Sequence, residues 1–135
     1  MSHATALIEG RADRLAQGCG RDDLPFIALA VVHGAVLIRF PSMGVIAIGL
    51  WWNANTISHN FIHRPFFTAP AANQIYALYL SLVLGVPQTL WRDRHLLHHA
   101  DEPRPARLRP ASQIELAAIG VLWTTLAIAV PAWFV

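Results

Sequence analysis

The stretch His59–His99 reads HNFIHRPFFTAPAANQIYALYLSLVLGVPQTLWRDRHLLHH. Histidines crowd both of its ends, and the way the residues between them fold decides the architecture. His59 and His63 stand at one end, and His95, His98 and His99 close the other. Between them, Pro65 to Trp91 carries no Asp, Glu, Lys or Arg for 27 residues. Ile75 to Val86 is apolar enough for a membrane-crossing helix. Pro70, Gly85, Pro87, Gln74, Gln88 and two tyrosines suit a membrane-lying or partly embedded helix equally well.

The rest of the chain sets the context. Of its 135 residues, 55% are hydrophobic and 13% charged, whereas a soluble domain carries about 25% charged residues. From Leu24 to Trp91 the only charges are Arg39 and Arg64, and from Leu116 to Val135 there are none. A small soluble domain has too little interior to hide such stretches from water, so the composition indicates a membrane protein. One cysteine, Cys19, excludes an internal disulfide framework and any cysteine-based zinc module. All ten basic residues are Arg, and they flank apolar spans rather than forming a stripe with aromatics, which argues against a nucleic-acid partner.

A bilayer core of ~30 Å needs about 20 apolar residues as helix. Residues 24–40 form one candidate span, 42–58 a second and about 114–135 a third. The join Arg39-Phe40-Pro41-Ser42 combines a charge with a helix-breaking proline. One unbroken helix from Leu24 to Trp52 would be ~43 Å long, so a two-span hairpin is the better reading. Residues 1–23 hold Glu9, Arg11, Asp13, Arg14, Arg21, Asp22 and Asp23 with no apolar core, which does not fit a cleavable signal. Arg11, Arg14 and Arg21 precede the first span, Arg39 alone marks the turn, and six arginines lie between the second and third spans. The positive-inside rule then places the N-terminal segment 1–23 and the region 59–110 in the cytoplasm.

The histidines carry the chemistry. Residues i and i+3 or i+4 share a helix face, so His59 and His63 point at a common spot, as do His95 and His98 or His99. Imidazole is a good ligand for iron, zinc, copper and nickel. Polar groups at a bilayer edge are costly enough that their presence points to function. A zinc-protease helix would read HExxH, its Glu activating water; here Asn60 follows His59, and neither pair encloses a carboxylate or thiolate. An all-nitrogen iron centre is therefore favoured over hydrolytic zinc.

The boxes His59-xxx-His63 and His95-xx-His98-His99 resemble the first two histidine boxes of the membrane fatty-acid desaturases, a superfamily that includes hydroxylases and carotenoid-modifying oxygenases. The flanks Ser58-His59-Asn60-Phe61-Ile62-His63-Arg64-Pro65 and Trp91-Arg92-Asp93-Arg94-His95 fit the desaturase branch better than the others. The resemblance covers about residues 24–135. It implies a non-haem di-iron site with His59, His63, His95, His98 and His99 as metal ligands and O₂ as co-substrate. The reaction implied is hydrogen removal from an unactivated C–H bond of an acyl lipid or acyl thioester. A ferredoxin or cytochrome b5-type donor would supply electrons. The integral membrane setting, multi-pass and with the boxes cytoplasmic, is expected to be a bacterial inner membrane.

The shared centre also decides how the central stretch is read. Were Pro65–Trp91 to cross the bilayer, the boxes would lie ~30 Å apart on opposite sides. An interfacial or re-entrant segment around 71–87 is therefore expected. The expected fold is an all-α integral membrane one: a two-helix transmembrane hairpin, interfacial helices carrying the boxes, and a third transmembrane helix. The family's third box, HxxHH or QxxHH, has no counterpart, since no histidine follows His99. The expectation is a partial desaturase-like domain, truncated before that box. The alternatives are a lipid or carotenoid hydroxylase or oxygenase, and a non-catalytic metal-binding membrane protein.

Other residues admit two readings each. His33, within the first span, is either a polar residue facing another helix or a ligand or substrate contact. Asp93 and Asp101 either orient ligand imidazoles or form solvated ion pairs with Arg92 or Arg94. Asn53 and Asn55 either line the site or bond at the helix end. Trp51, Trp52, Trp91, Trp123 and Trp133 suit membrane interfaces, with Trp51 or Trp52 able to border an acyl tunnel. The segment Asp101 to Pro110, rich in Pro and Arg, is a stiff connector able to touch anionic lipid or an acidic donor.

Overall fold

The computed structural model describes residues 20, 22–40, 42–99 and 108–131. Those residues are helical or in short connections, with no strand among them, so the all-α expectation holds. Helix α1 spans Leu24–Arg39 with Pro at its first turn, where a missing N–H costs nothing. It stops at Phe40, whose N–H bonds back to Val36 O at 2.7 Å. Ser42 then caps α2, Met43–Trp52, by accepting from Val45 N at 3.2 Å. The helix break therefore falls where the Arg-Phe-Pro-Ser join anticipates it.

From α2 the chain runs on through a π-helical segment, Asn53–Ser58, into α3, His59–His63. Residues 43–63 thus form one helical rod, which Arg64 ends in an extended conformation. Pro65 follows directly, and a residue preceding proline is pushed out of the helical region.

Helix α1 packs along this rod through polar contacts. The His33 ring lies against Val45 O at 3.2 Å and Asn53 Nδ2 at 2.7 Å. Gly49 makes room for that ring; a Cβ there would collide with it.

After Phe66 and Phe67, whose N–H and C=O are both bonded by the Asn73 side chain, α4 spans Pro70–Leu84. Gly85 ends it with φ +65°, a conformation that favours glycine. Helix α5, Gln88–His99, returns towards the histidine end. Leu84 and Val86 at this turn line a cleft with Leu50 and Ala54, near the middle of the 43–63 rod. The uncharged central stretch is therefore a helix–turn–helix that goes out and comes back. Helix α6, Pro110–Ala129, lies along both arms: Trp123 Nε1 donates to Leu82 O at 3.0 Å, and Arg109 pairs with Asp93 at 2.8 Å.

The core gathers Ala30, Ile57, Phe61, Phe66, Tyr76, Leu80 and Leu84. Phe61 meets the Phe66 and Tyr76 rings edge-on at 5.3 and 5.0 Å, an arrangement aromatic quadrupoles favour. Tyr79 Oη donates to Ala30 O at 2.6 Å, over Gly34, tying α4 to α1.

The three expected spans map onto α1, the α2–π segment and α6. By length and composition, α6 is the one helix among the described residues able to cross a membrane, while α1 is apolar but shorter. Helix α6 begins at Pro110, earlier than the expected start near 114, because proline suits a helix's first turn and Ser112 and Glu115 are buried against the protein. Of the N-terminal segment 1–23, only Gly20, Asp22 and Asp23 lie within the described residues; residues 132–135 lie outside them.

Candidate metal centre

The first box sits where the rod emerges from its π turn. An i→i+5 turn inserts a residue, rotating everything downstream by ~100° relative to an uninterrupted α-helix. The local sequence supports it: Asn55 and Asn60 donate their side-chain amides to Trp51 O and Thr56 O at 2.9 and 2.7 Å. The π turn therefore sets which way His59 and His63 face relative to the apolar surface of α2.

The second box comes alongside because α5 is tied to that rod. Ser58 Oγ, just before His59, donates to Gln88 Oε1 at 2.5 Å, and the Gln88 N–H donates to Ser81 Oγ at 2.9 Å. With Ser58 opposite Gln88 and His63 opposite His95, the rod and α5 run in the same direction.

Four imidazoles converge. Ring centroids of His59 lie 4.8 Å from His63 and 4.7 Å from His95. Those of His63 lie 4.9 Å from His95 and 5.0 Å from His99, and His95 lies 4.6 Å from His99. His63 Nε2 and His95 Nε2 are 2.9 Å apart, and His95 Nε2 and His99 Nε2 3.0 Å. Ligand nitrogens of His59, His63 and His95 all fall within 4.8 Å of one another, close enough to hold one metal ion. Two nitrogens bound at right angles to one ion at ~2.1 Å stand about 3 Å apart, which the observed pairs match. Of the five expected ligands, His98 stands aside: its ring touches His99 at 5.8 Å and no other histidine ring among the described residues.

The electrostatics agree. Partial desolvation lowers the pKa of His63, and the neighbouring His59 and His99 lower it further. His95 is lowered by desolvation and then by His59, His63, His99 and His98. Both shifts favour the neutral ring, the form that binds a metal. The grouped residues are histidines alone, with no carboxylate or thiolate.

Asp93 pairs with Arg109 at 2.8 Å. Asp101 and Trp133 lie outside the described residues. His33 takes the bland reading, with its ring between α2 and the π segment. Asn53 holds His33, and Asn55 bonds the helix backbone. Trp91 stacks over His95 at 6.3 Å and lines the cleft with Leu50, Ala54, Ser58, Leu84, Val86 and Gln88.

Sequence reasoning missed the buried polar residues beneath the boxes: Ser58, Ser81, Gln88, Ser112 and Glu115. One signal was available. Glu115 is the sole acid in α6, and a carboxylate in an apolar helix needs a partner. Comparison with protein-family models, with curated proteins and with solved structures finds no match.

Proposed function

We propose that the chain is the box-bearing part of a membrane-embedded, histidine-ligated non-haem iron oxidoreductase acting on acyl lipid, with desaturation as its reaction. The observation that carries this reading is the approach of His63 Nε2 to His95 Nε2 at 2.9 Å, joining two boxes that are distant in sequence. His59, His63, His95 and His99 would hold one iron, and His98 is the donor this stretch offers a second. Bound iron supplies the means of activating O₂ for attack on an unactivated C–H bond, with electrons from a ferredoxin or cytochrome b5-type donor.

The protein's own residues supply the setting. Ile38, Ile48, Trp51, Val121 and Ile128 are exposed on the outer faces of α1, α2 and α6, while Asn53, Ser58, Gln88 and Glu115 are buried. Buried polar groups bonded to one another under an exposed apolar exterior suit lipid rather than water as the solvent. In this reading α1 and residues 43–58 form the transmembrane hairpin, with His59 and His63 just beyond its end, α4 and the turn at Gly85 re-enter the membrane, and α6 crosses it. The cleft lined by Leu50, Ala54, Leu84 and Val86 reaches Ser58 and Trp91, each beside a box histidine, and its apolar lining suits part of an alkyl chain. Such a cleft favours an acyl substrate over the non-catalytic alternative.

Two measurements test the proposal. Chain purified from membranes in detergent should contain iron, and a His95→Ala, His98→Ala, His99→Ala variant should lose it; wild-type iron content in that variant would remove the ligand assignment. Expression in a host whose fatty acids are profiled by mass spectrometry should add double bonds. Hydroxylated chains would redirect the proposal to the hydroxylase branch, and an unchanged profile with iron bound would favour the non-catalytic reading.

A further inference from the structure

We propose that Glu115 is a positioning residue for the metal centre, setting the register of α5 and through it the placement of His95 and His99. The inference rests on the metal reading above. Helix α5 carries three box histidines, yet Gln88 is its one buried residue. Apolar packing therefore contributes little to holding it, and specific polar contacts must define where it stops along its axis.

Those contacts lie at its foot. Glu115 Oε2 accepts from Thr89 N at 3.0 Å and from Thr89 Oγ1 at 2.8 Å. Since the Thr89 hydroxyl proton is used there, Ser112 Oγ donates to Thr89 Oγ1, at 2.7 Å. A carboxylate from α6 thus caps the Thr89 amide in the first turn of α5, where both hydrogen bonding and the helix dipole favour an anion. One turn on, Asp93 binds Arg109 at the start of α6. Thr89 and Asp93 share the α5 face that meets α6. His95 and His99, also four apart, share a different face towards His63.

Glu115 and Ser112 are both buried, at 4% and 0% exposure, so losing one partner leaves the others to find new bonds in a largely closed space. Without Glu115 the Thr89 amide must move to find another acceptor, carrying the helix with it. A displacement of even part of an ångström at His95 separates the paired nitrogens that now lie 2.9 and 3.0 Å apart.

The test is Co²⁺ titration of the full chain in detergent, read by the visible absorption of the bound ion. Glu115→Ala should weaken Co²⁺ binding about tenfold, the lower end of what loss of a residue supporting metal ligands costs, and should alter the absorption band. Glu115→Gln, whose amide oxygen still accepts from Thr89, should restore both. A role in folding alone would lower the number of sites while leaving affinity and spectrum of the remaining ones unchanged, and that result overturns the proposal. So does wild-type binding by Glu115→Ala. Should Glu115→Ala fail to fold, Thr89→Ala decides by the same readout, because it loses the hydroxyl bond and keeps the amide bond; unaltered affinity and spectrum overturn the proposal. Absence of Co²⁺ binding by the wild-type chain would instead remove the metal reading itself, and this inference with it.

Discussion

His63 Nε2 lies 2.9 Å from His95 Nε2, across 32 residues of sequence. Two neutral imidazoles at that distance either share one proton between their nitrogens or turn both lone pairs on a common ion. The ligand nitrogens of His59, His63 and His95 all fall within 4.8 Å of one another, which favours the second arrangement whenever a metal is available.

Single alanine substitutions should divide the box histidines into two groups. Losing His59, His63, His95 or His99 should weaken the binding of the first ion by more than the ~10-fold that loss of a merely supporting residue costs. His98→Ala should leave that affinity within about twofold, because its ring stands outside the convergent set. Equilibrium dialysis with Zn²⁺ on the purified variants separates the groups, and equal losses at all five positions would contradict the geometry.

Metal binding should respond to pH in a stated direction. The pKa values of His63 and His95 lie below the ordinary 6.5, so neither ring gives up a proton on binding at pH 7. Protonation of these two rings should therefore cost affinity only as pH drops below about 6.5 and through their lowered values. The apo fold follows the same sign. Below 6.5 the unfolded histidines take up protons that the folded ones refuse, so their contribution to stability is present above that pH and lost beneath it. Metal titrations and thermal melts over this range check both statements.

Ser58→Ala should destabilise the bundle by about 1–3 kcal/mol, because it leaves the buried Gln88 Oε1 without its donor. The variant should also weaken metal binding, since Ser58 adjoins His59 and Gln88 opens the helix of His95. Chemical denaturation in detergent measures the first effect, and a stability within 0.5 kcal/mol of wild type, the ordinary scatter of neutral substitutions, would count against it.

Gly49→Ala should cost about 1–3 kcal/mol, the range for overpacking a tight interior, because its Cβ meets the His33 ring held by Val45 and Asn53. Replacing His33 by Ala in the same chain should recover part of that loss, since the obstacle is then gone. A double-mutant cycle tests the pairing, and additive effects would show that the two residues do not compete for space.

Val121→Arg probes the membrane. Val121 is near the middle of α6 and exposed. If lipid covers that face, the substitution should cost roughly 2.5–3.5 kcal/mol of insertion and reduce the carbonate-resistant membrane fraction. If water covers it, the protein should be unaffected.

The sequence by itself determined the all-helical character and several of the breaks, though not the π segment at 53–58 or the start of α6 at Pro110. Pro41 and Ser42, Pro65, Gly85 and Pro87 are local signals, because a ring that removes an N–H or a residue that tolerates positive φ acts within its own turn. Histidine spacing likewise marked the metal chemistry, since i, i+4 pairing is a property of one helix. Tertiary structure alone decided which histidines meet. His98 and His99 are adjacent in sequence, yet only His99 joins His63 and His95, because the register of α5 is set by Ser58, Ser81 and Glu115 on three other segments. Of those partners only Glu115, the one acid in an apolar helix, carries a signal readable along the chain. Each makes its bond only once the apolar packing of α4 and α6 has brought it within reach, and buried polar groups then accept just one alignment.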